Sequence, residues 1–282
     1  MGDENRITYN GVDLRTLGLY ASGDKAFKSP KKDYEKISIP GRSGDLIYWN
    51  GRYENVDVSY SVIYLPTPLY SSTDTRSPEE KYRENMRAIR GTLLSPNGYV
   101  RIEDCYNPDE YRLGVFTGPL DVDTGLLQAG KGTLTFNCRP ERYLKSGDEA
   151  IEVQLGETAQ TVTNPTFFPS KPILKFSHIS PNQGVTIRGT RYPSYMYTIT
   201  TTEEEGIDNL VIDCENERFY RIEDGAELSL YNEVIVKAFY RPREYGGAML
   251  EDDSFITLAA GGNTITSSGS YTLTITPRWY VL

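Results

Sequence analysis

The residues that could do chemistry are few. His178 is the only histidine in the chain, which excludes multi-histidine metal sites and any machinery that needs a second imidazole. It closes the strand-like run Pro172-Ile173-Leu174-Lys175-Phe176-Ser177-His178 and reads as a hydrogen-bonded structural residue. Cys105, Cys138 and Cys214 lie far apart with no C-x-x-C spacing. They read as buried free thiols of a chain made in a reducing cytoplasm. Glu203-Glu204-Glu205 and Glu251-Asp252-Asp253 have the ligand type for Ca²⁺, but each adjoins loop-like sequence and reads as solvated loop charge. No G-x-S-x-G elbow, P-loop or H-E-x-x-H occurs. No carboxylate pair is singled out by spacing for glycoside cleavage. The expectation is a non-enzyme with no catalytic residue, no metal ligand and no cofactor.

Two segments carry contact chemistry instead. Ile39-Pro40-Gly41-Arg42-Ser43-Gly44-Asp45-Leu46 combines one Pro, two Gly and a flanking Arg/Asp pair. That composition makes a rigid turn which can hold its charges in one geometry. It lacks the strand-to-helix context of a phosphate cradle. Taken alone the segment reads as a turn. The second segment is the turn Gly125-Leu126-Leu127-Gln128-Ala129-Gly130-Lys131, whose Leu126 and Leu127 suggest a protein contact.

These segments need a scaffold, and the 282 residues suffice for about two domains. The chain holds 30 basic and 39 acidic residues, a net charge of −9. Residues 1–145 hold 20 of each, so the 10 basic and 19 acidic residues of 146–282 carry the whole excess. Such asymmetry marks domains and argues against binding nucleic acid through phosphate contacts. The charged run Arg139-Pro140-Glu141-Arg142-Tyr143-Leu144-Lys145-Ser146-Gly147-Asp148 reads as the linker, giving domains 1–145 and 146–282. Met1 to Asn10 is polar and carries no signal-peptide core. No stretch approaches about 18 apolar residues, so no membrane span is expected. Tyr is abundant, with 22 against 9 Phe and 2 Trp. It favours strands and interfaces.

The first half predicts strands around one helix. Ile7-Thr8-Tyr9, Asn10-Gly11 and Val12-Asp13-Leu14 spell a hairpin with a type I′ turn. Tyr34 to Ile39 alternates, and Asn55 to Tyr64 alternates over its whole length with Val56, Val58, Tyr60, Val62 and Tyr64 on one face. Ser77, Pro78 and Glu80 form a capping box for a helix over about 78–95, with Tyr82, Met86, Ile89, Leu93 and Leu94 as its apolar stripe. Strands are predicted at Tyr99 to Glu103, Tyr111 to Phe116, Pro119 to Thr124 and Gly132 to Cys138. The second half predicts ten strands, from Glu149 to Thr276, about 8–12 residues apart. This pattern suits a sandwich.

In this order the motifs resemble a known family. Ile7 to Leu14, Ile37 to Leu46 and Tyr53-Glu54-Asn55-Val56 resemble the N-terminal domain of the distal tail (Dit) proteins of long, non-contractile-tailed phages. Asn164-Pro165-Thr166, Ser170 to Lys175, Leu210 to Glu215, Gly261 to Ile265 and the ending Thr274-Ile275-Thr276-Pro277-Arg278-Trp279 are similar to its second half. Glu233 to Asp253 matches nothing in the pattern. The resemblance implies a mainly β chain. Its N-terminal half would be a β-sandwich or split-barrel-like ring domain with one α-helix and a protruding hairpin. Its C-terminal half would be a galectin-like or carbohydrate-module-like β-sandwich.

It also implies a structural protein of the tail tip in the virion, assembled in the host bacterial cytoplasm. Six copies would close into a ring, alone or stacked. The ring would join the tail tube protein to the tip or baseplate, with a hub protein, tail-associated lysin, fibre or receptor-binding protein as further partners. DNA would pass through the lumen without specific binding. A heterologous ring joins two different faces of each protomer, and in it Pro40 to Asp45 is expected at the tip of a long hairpin from Tyr34 to Tyr64, with Pro40, Gly41, Arg42, Gly44 and Asp45 as candidate intersubunit contacts. The rival is a carbohydrate-binding adhesion module in the second half. Of the two tryptophans, Trp49 and Trp279, Trp279 is expected to pack in a core rather than stack on sugar.

Overall fold

The computed structural model describes residues 4–23, 28–65, 74–124, 130–156, 158–181, 184–189, 194–230, 232–241, 250–252 and 255–282. The chain divides into two compact units, Met1–Arg142 and Tyr143–Val281. The division falls just before the expected one, and the expected linker is regular structure. Residues 139–144 are the end of a long strand, and Lys145–Gly147 form a 3₁₀ turn. The reason is burial: Cys138, Pro140 and Tyr143 are all buried, so this charged run keeps an inward side.

The first unit is built from β1 (Ile7–Tyr9), β2 (Val12–Asp13), β3 (Leu19–Ala21), β4 (Lys32–Ile37), β5 (Leu46–Tyr53), β6 (Val56–Tyr64), α1 (Pro78–Leu94), β7 (Val100–Asp104), β8 (Glu110–Phe116), β9 (Asp121–Thr124) and β10 (Gly130–Leu144). Its main sheet runs β2-β1-β7-β8-β10-β6-β3, with β9 also on β10, and curls as a half-barrel. The β1–β2 turn has the predicted form, with Asn10 at φ 50° and Gly11 at φ 79°. In β6 every second residue from Val56 to Tyr64 is buried. Helix α1 carries the full capping box, with the Ser77 and Glu80 side chains each bonding the other's backbone N–H. It buries Asn85, Met86, Ile89 and Leu93. Leu94, expected in the apolar stripe, is exposed instead, because it lies a full residue step round the helix from buried Leu93.

Tyrosine serves this core directly. Tyr9, Tyr60 and Phe116 pack around Phe136 at centroid distances of 5.2, 5.9 and 5.6 Å. Each buried hydroxyl has a partner, as burial requires. Tyr60 donates to Asp104 Oδ2 at 2.7 Å, Tyr9 accepts from the Phe116 N–H, and Tyr64 accepts from Asn85 Nδ2. Burial, with the Asp104 carboxylate second, pushes the Tyr60 hydroxyl well above its ordinary range.

The second unit comprises β11 (Ile151–Leu155), β12 (Gln160–Asn164), β13 (Ile173–Ile179), β14 (Val185–Gly189), β15 (Ser194–Thr201), β16 (Ile207–Asp213), β17 (Arg218–Glu223), β18 (Ala226–Ser229), β19 (Val234–Arg241), β20 (Leu250–Asp252), β21 (Gly261–Ser267), β22 (Tyr271–Thr276) and β23 (Tyr280–Val281). Two six-stranded antiparallel sheets, β11-β22-β13-β16-β17-β18 and β12-β21-β14-β15-β19-β20, enclose one core. Of the predicted strand from Ser254 to Leu258, Ser254 lies outside the described residues and Leu258 forms an isolated bridge with Ser170. Trp279 is buried in this core. Among the described residues no helix is long and apolar enough to cross a membrane.

Candidate assembly surface

Strands β4 and β5 pair only with each other, outside the main sheet. The hairpin therefore runs from Lys32 to Tyr53, not from Tyr34 to Tyr64. β6 leaves it because its fully alternating face is needed in the core, where it pairs β10 and β3. The expected contacts Pro40, Gly41, Arg42, Gly44 and Asp45 lie in the connection between β4 and β5, all exposed. Gly41 and Gly44 have φ of 79° and 85°, a conformation that glycine enters at little cost. The Arg42 N–H donates to the Ile39 carbonyl and closes the turn.

The hairpin is apolar on both faces. Register places Tyr34 opposite Trp49 and Lys36 opposite Ile47 on one face, and Glu35 opposite Tyr48 and Ile37 opposite Leu46 on the other. Ile47, Tyr48 and Trp49 keep 64%, 62% and 51% of their surface exposed. Tyr34, Ile37, Ile39 and Leu46 are exposed as well. A two-stranded ribbon alone in water is marginal at best. Local contacts hold this one: Trp49 lies edge-on to Tyr53 at 6.1 Å, Lys32 lies over the Trp49 ring at 5.7 Å, and Lys36 over Tyr34 at 5.6 Å. Arg52 Nε donates to Asp33 Oδ2 at 2.5 Å and Asn50 Nδ2 to Asp33 Oδ1 at 3.1 Å. The Arg52 bond, then the Asn50 bond, hold the Asp33 carboxyl below the ordinary carboxylate range. These contacts still leave large apolar side chains exposed on each face, a feature that marks protein contacts.

Leu126 and Leu127 lie outside the described residues. Alternation does not reveal strand β5, although Leu46-Ile47-Tyr48-Trp49 is an unbroken apolar run between Gly44-Asp45 and Asn50-Gly51. Its lack of alternation hid it, and that same lack reflects two exposed faces.

His178, on β13, sits in a cross-strand cluster. Its Nδ1 lies 2.6 Å from Asp208 Oδ1 on β16 and its Nε2 lies 3.1 Å from Ser180 Oγ. The order matches a Ser-His-carboxylate relay, but Asp208 is largely exposed and the Ser180 N–H is directed at the Tyr271 hydroxyl rather than at an oxyanion position. The cluster reads as a strand-to-strand tie. Cys138 and Cys214 are buried and Cys105 partly so. Burial pushes the Cys214 thiol far above its ordinary range. Among the described residues no group of His, Cys, Asp and Glu is placed to hold a metal.

A curled one-helix sheet with a free-standing hairpin, followed by a sandwich of two six-stranded sheets, defines a Dit-like β fold. The chain is similar to the crystal structure of the SPP1 Dit protein (gp 19.1), described as a paradigm of the hub adsorption apparatus in phages infecting Gram-positive bacteria. The TM-score is 0.63 at 14% identity, covering 98% of this chain and 99% of that one. The phage P2 baseplate in its activated conformation with Ca also matches, with a TM-score of 0.43 at 11% identity over 96% of each chain, too low to bear on the fold. No protein-family model matches the chain, and no curated protein does.

Proposed function

We propose that this chain is a structural, non-enzymatic component of a phage tail tip in the virion, assembled in the host bacterial cytoplasm. Six copies close into a ring that joins the tail tube to the tip or baseplate and leaves a channel for DNA. The observation that carries the reading is the β4–β5 hairpin, which presents apolar side chains on both faces that its own unit leaves uncovered. The Dit-like fold supports it. A heterologous ring joins two different faces of each protomer, and an uncovered apolar hairpin can supply one of them. The balanced charge of residues 1–145 supports it too, since a neutral ring domain avoids repelling itself around the axis. In this reading the acidic second unit supplies the contact to a hub protein, lysin, fibre or receptor-binding protein.

In this reading Pro40, Gly41, Arg42, Gly44 and Asp45 reach the neighbouring protomer, and Arg42 makes a charge-assisted contact there. Sizing Arg42→Glu by light scattering tests this: the variant should lose hexamer. An undiminished hexamer would sink the role of Arg42.

A second reading gives the Tyr143–Val281 unit an adhesive role in binding carbohydrate. Its support is the outer face of the β12–β20 sheet, where register aligns Thr266, Thr186 and Thr198 across three strands.

A further inference from the structure

Asn-Gly is the dipeptide that most readily closes on itself, because glycine carries no Cβ to hinder its nitrogen. The chain holds three such pairs, Asn10-Gly11, Asn50-Gly51 and Asn97-Gly98. Closure brings the Gly nitrogen onto the Asn Cγ, so the amide and the backbone beside it must be free to turn. The fold holds two of the three. Asn10 sits in the β1–β2 turn at φ 50°, its N–H donates to the Arg101 carbonyl at 2.9 Å, and Tyr9 and Val12 pair across the turn. Asn50 lies in β5, where its Nδ2 donates to Asp33 Oδ1 at 3.1 Å. Turning either residue toward closure breaks a bond that holds it.

Asn97 has no such hold. It lies between Leu94, the last residue of α1, and Val100, the first of β7. Asn97 and Gly98 are both exposed. No hydrogen bond to the Asn97 side chain or from the Gly98 N–H occurs among the described residues. The space that a Cβ would take at Gly98 is clear of other atoms to 4 Å.

We propose that Asn97 is a self-modification site that deamidates without an enzyme. The Gly98 nitrogen gives its proton to a solvent base and attacks the Asn97 side-chain carbonyl carbon. The new C–N bond closes a succinimide ring, and the side-chain nitrogen leaves as ammonia. Water then opens the ring at either carbonyl and leaves aspartate or isoaspartate. Either product adds a negative charge to a first half whose 20 basic and 20 acidic residues otherwise balance. Isoaspartate also lengthens the backbone by one carbon just before Tyr99. The Tyr99 hydroxyl accepts from Asn55 Nδ2, between β5 and β6, and Arg139 lies over its ring at 5.4 Å. The change therefore falls beside the contacts at the root of the β4–β5 hairpin.

The test is peptide mass spectrometry of the full chain held at mildly alkaline pH, folded and in urea. Conversion adds about 1 Da to the peptide that carries it. In urea the three pairs should convert at similar rates. In the folded chain Asn97 should keep that rate, while Asn10 and Asn50 should fall about fivefold or more below it, since each must first break a hydrogen bond. Gly98→Ala, whose Cβ hinders the attack, should slow conversion at Asn97 and leave the circular dichroism unchanged. Asp33→Ala frees the Asn50 amide and should speed conversion at Asn50 alone. Protection of Asn97 on folding as strong as that of Asn10 and Asn50 would overturn the proposal. Conversion of Asn10 or Asn50 ahead of Asn97 in the folded chain would overturn it too, and an Asn50 rate indifferent to Asp33→Ala would overturn the ranking by held amides on which it rests.

Discussion

The hairpin makes a quantitative claim about assembly. Ile47 and Tyr48 lie on opposite faces of β5, opposite Lys36 and Glu35 respectively. The double variant Ile47→Glu with Tyr48→Lys removes the two most exposed of the hairpin's large apolar side chains and leaves the net charge unchanged. Each new charge meets its opposite across the ribbon, which helps the hairpin by a few tenths of a kcal/mol. The protomer should therefore keep its stability within about 0.5 kcal/mol, the usual range for surface changes. Assembly should not survive. Full burial of an Ile or Tyr side chain is worth about 1.5–3 kcal/mol, and Ile47 and Tyr48 still have 64% and 62% of their surface to bury. That gives about 1–2 kcal/mol for each, or about 2–4 kcal/mol per interface. The equivalent is a loss of about 30- to 1,000-fold in pairwise affinity, before the cost of desolvating two charges. Sedimentation velocity over a concentration series, beside a thermal melt, measures both quantities. Unchanged assembly would refute the idea that this hairpin is the contact. A large drop in Tm would show instead that the two side chains are packed within the protomer.

The remaining predictions concern the scaffold. Ser77→Ala removes the cap and one half of the capping box of α1, and should cost about 1 kcal/mol of stability in the first unit by chemical denaturation. Gly147→Ala puts a methyl group onto the Trp279 backbone nitrogen, where only backbone movement makes room, so a loss of about 1–3 kcal/mol is expected. Asp213 gives a pH signature. Burial opposes its charge, but the hydrogen bonds from Arg278 and Asn216 and the Arg278 charge outweigh this and depress its pKa. A carboxylate with a depressed folded pKa stabilises the fold above its unfolded value of about 3.9, and that contribution disappears as pH falls through the folded value. Asp213→Asn should thus be less stable at neutral pH and lose less stability on acidification; parallel acid titrations of the two proteins would count against the Arg278–Asp213 pair.

Local signals made much of the scaffold legible. The Asn10-Gly11 turn, the alternation of β6 and the capping box of α1 each reside in a few adjacent residues, and each appears as predicted. Elements set by distant partners were harder to read. β10 continues through Arg139 and Arg142 because Cys138, Pro140 and Tyr143 find a buried side, which charge and proline content conceal. The tip residues Pro40 to Asp45 stood out as a turn, but the strand that follows them did not. Alternation detects one buried face, and β5 has none within its own unit. The His178–Asp208 tie depends on cross-strand register, which no single segment encodes.

The central claim is a closed ring, and the most direct measurement is native mass combined with class-averaged electron micrographs of the purified chain. The account predicts a six-fold ring of about 191 kDa, six times the 31.8 kDa protomer, with an open lumen. A monodisperse monomer across the micromolar range, its hairpin equally accessible to solvent labelling at every concentration, would contradict it.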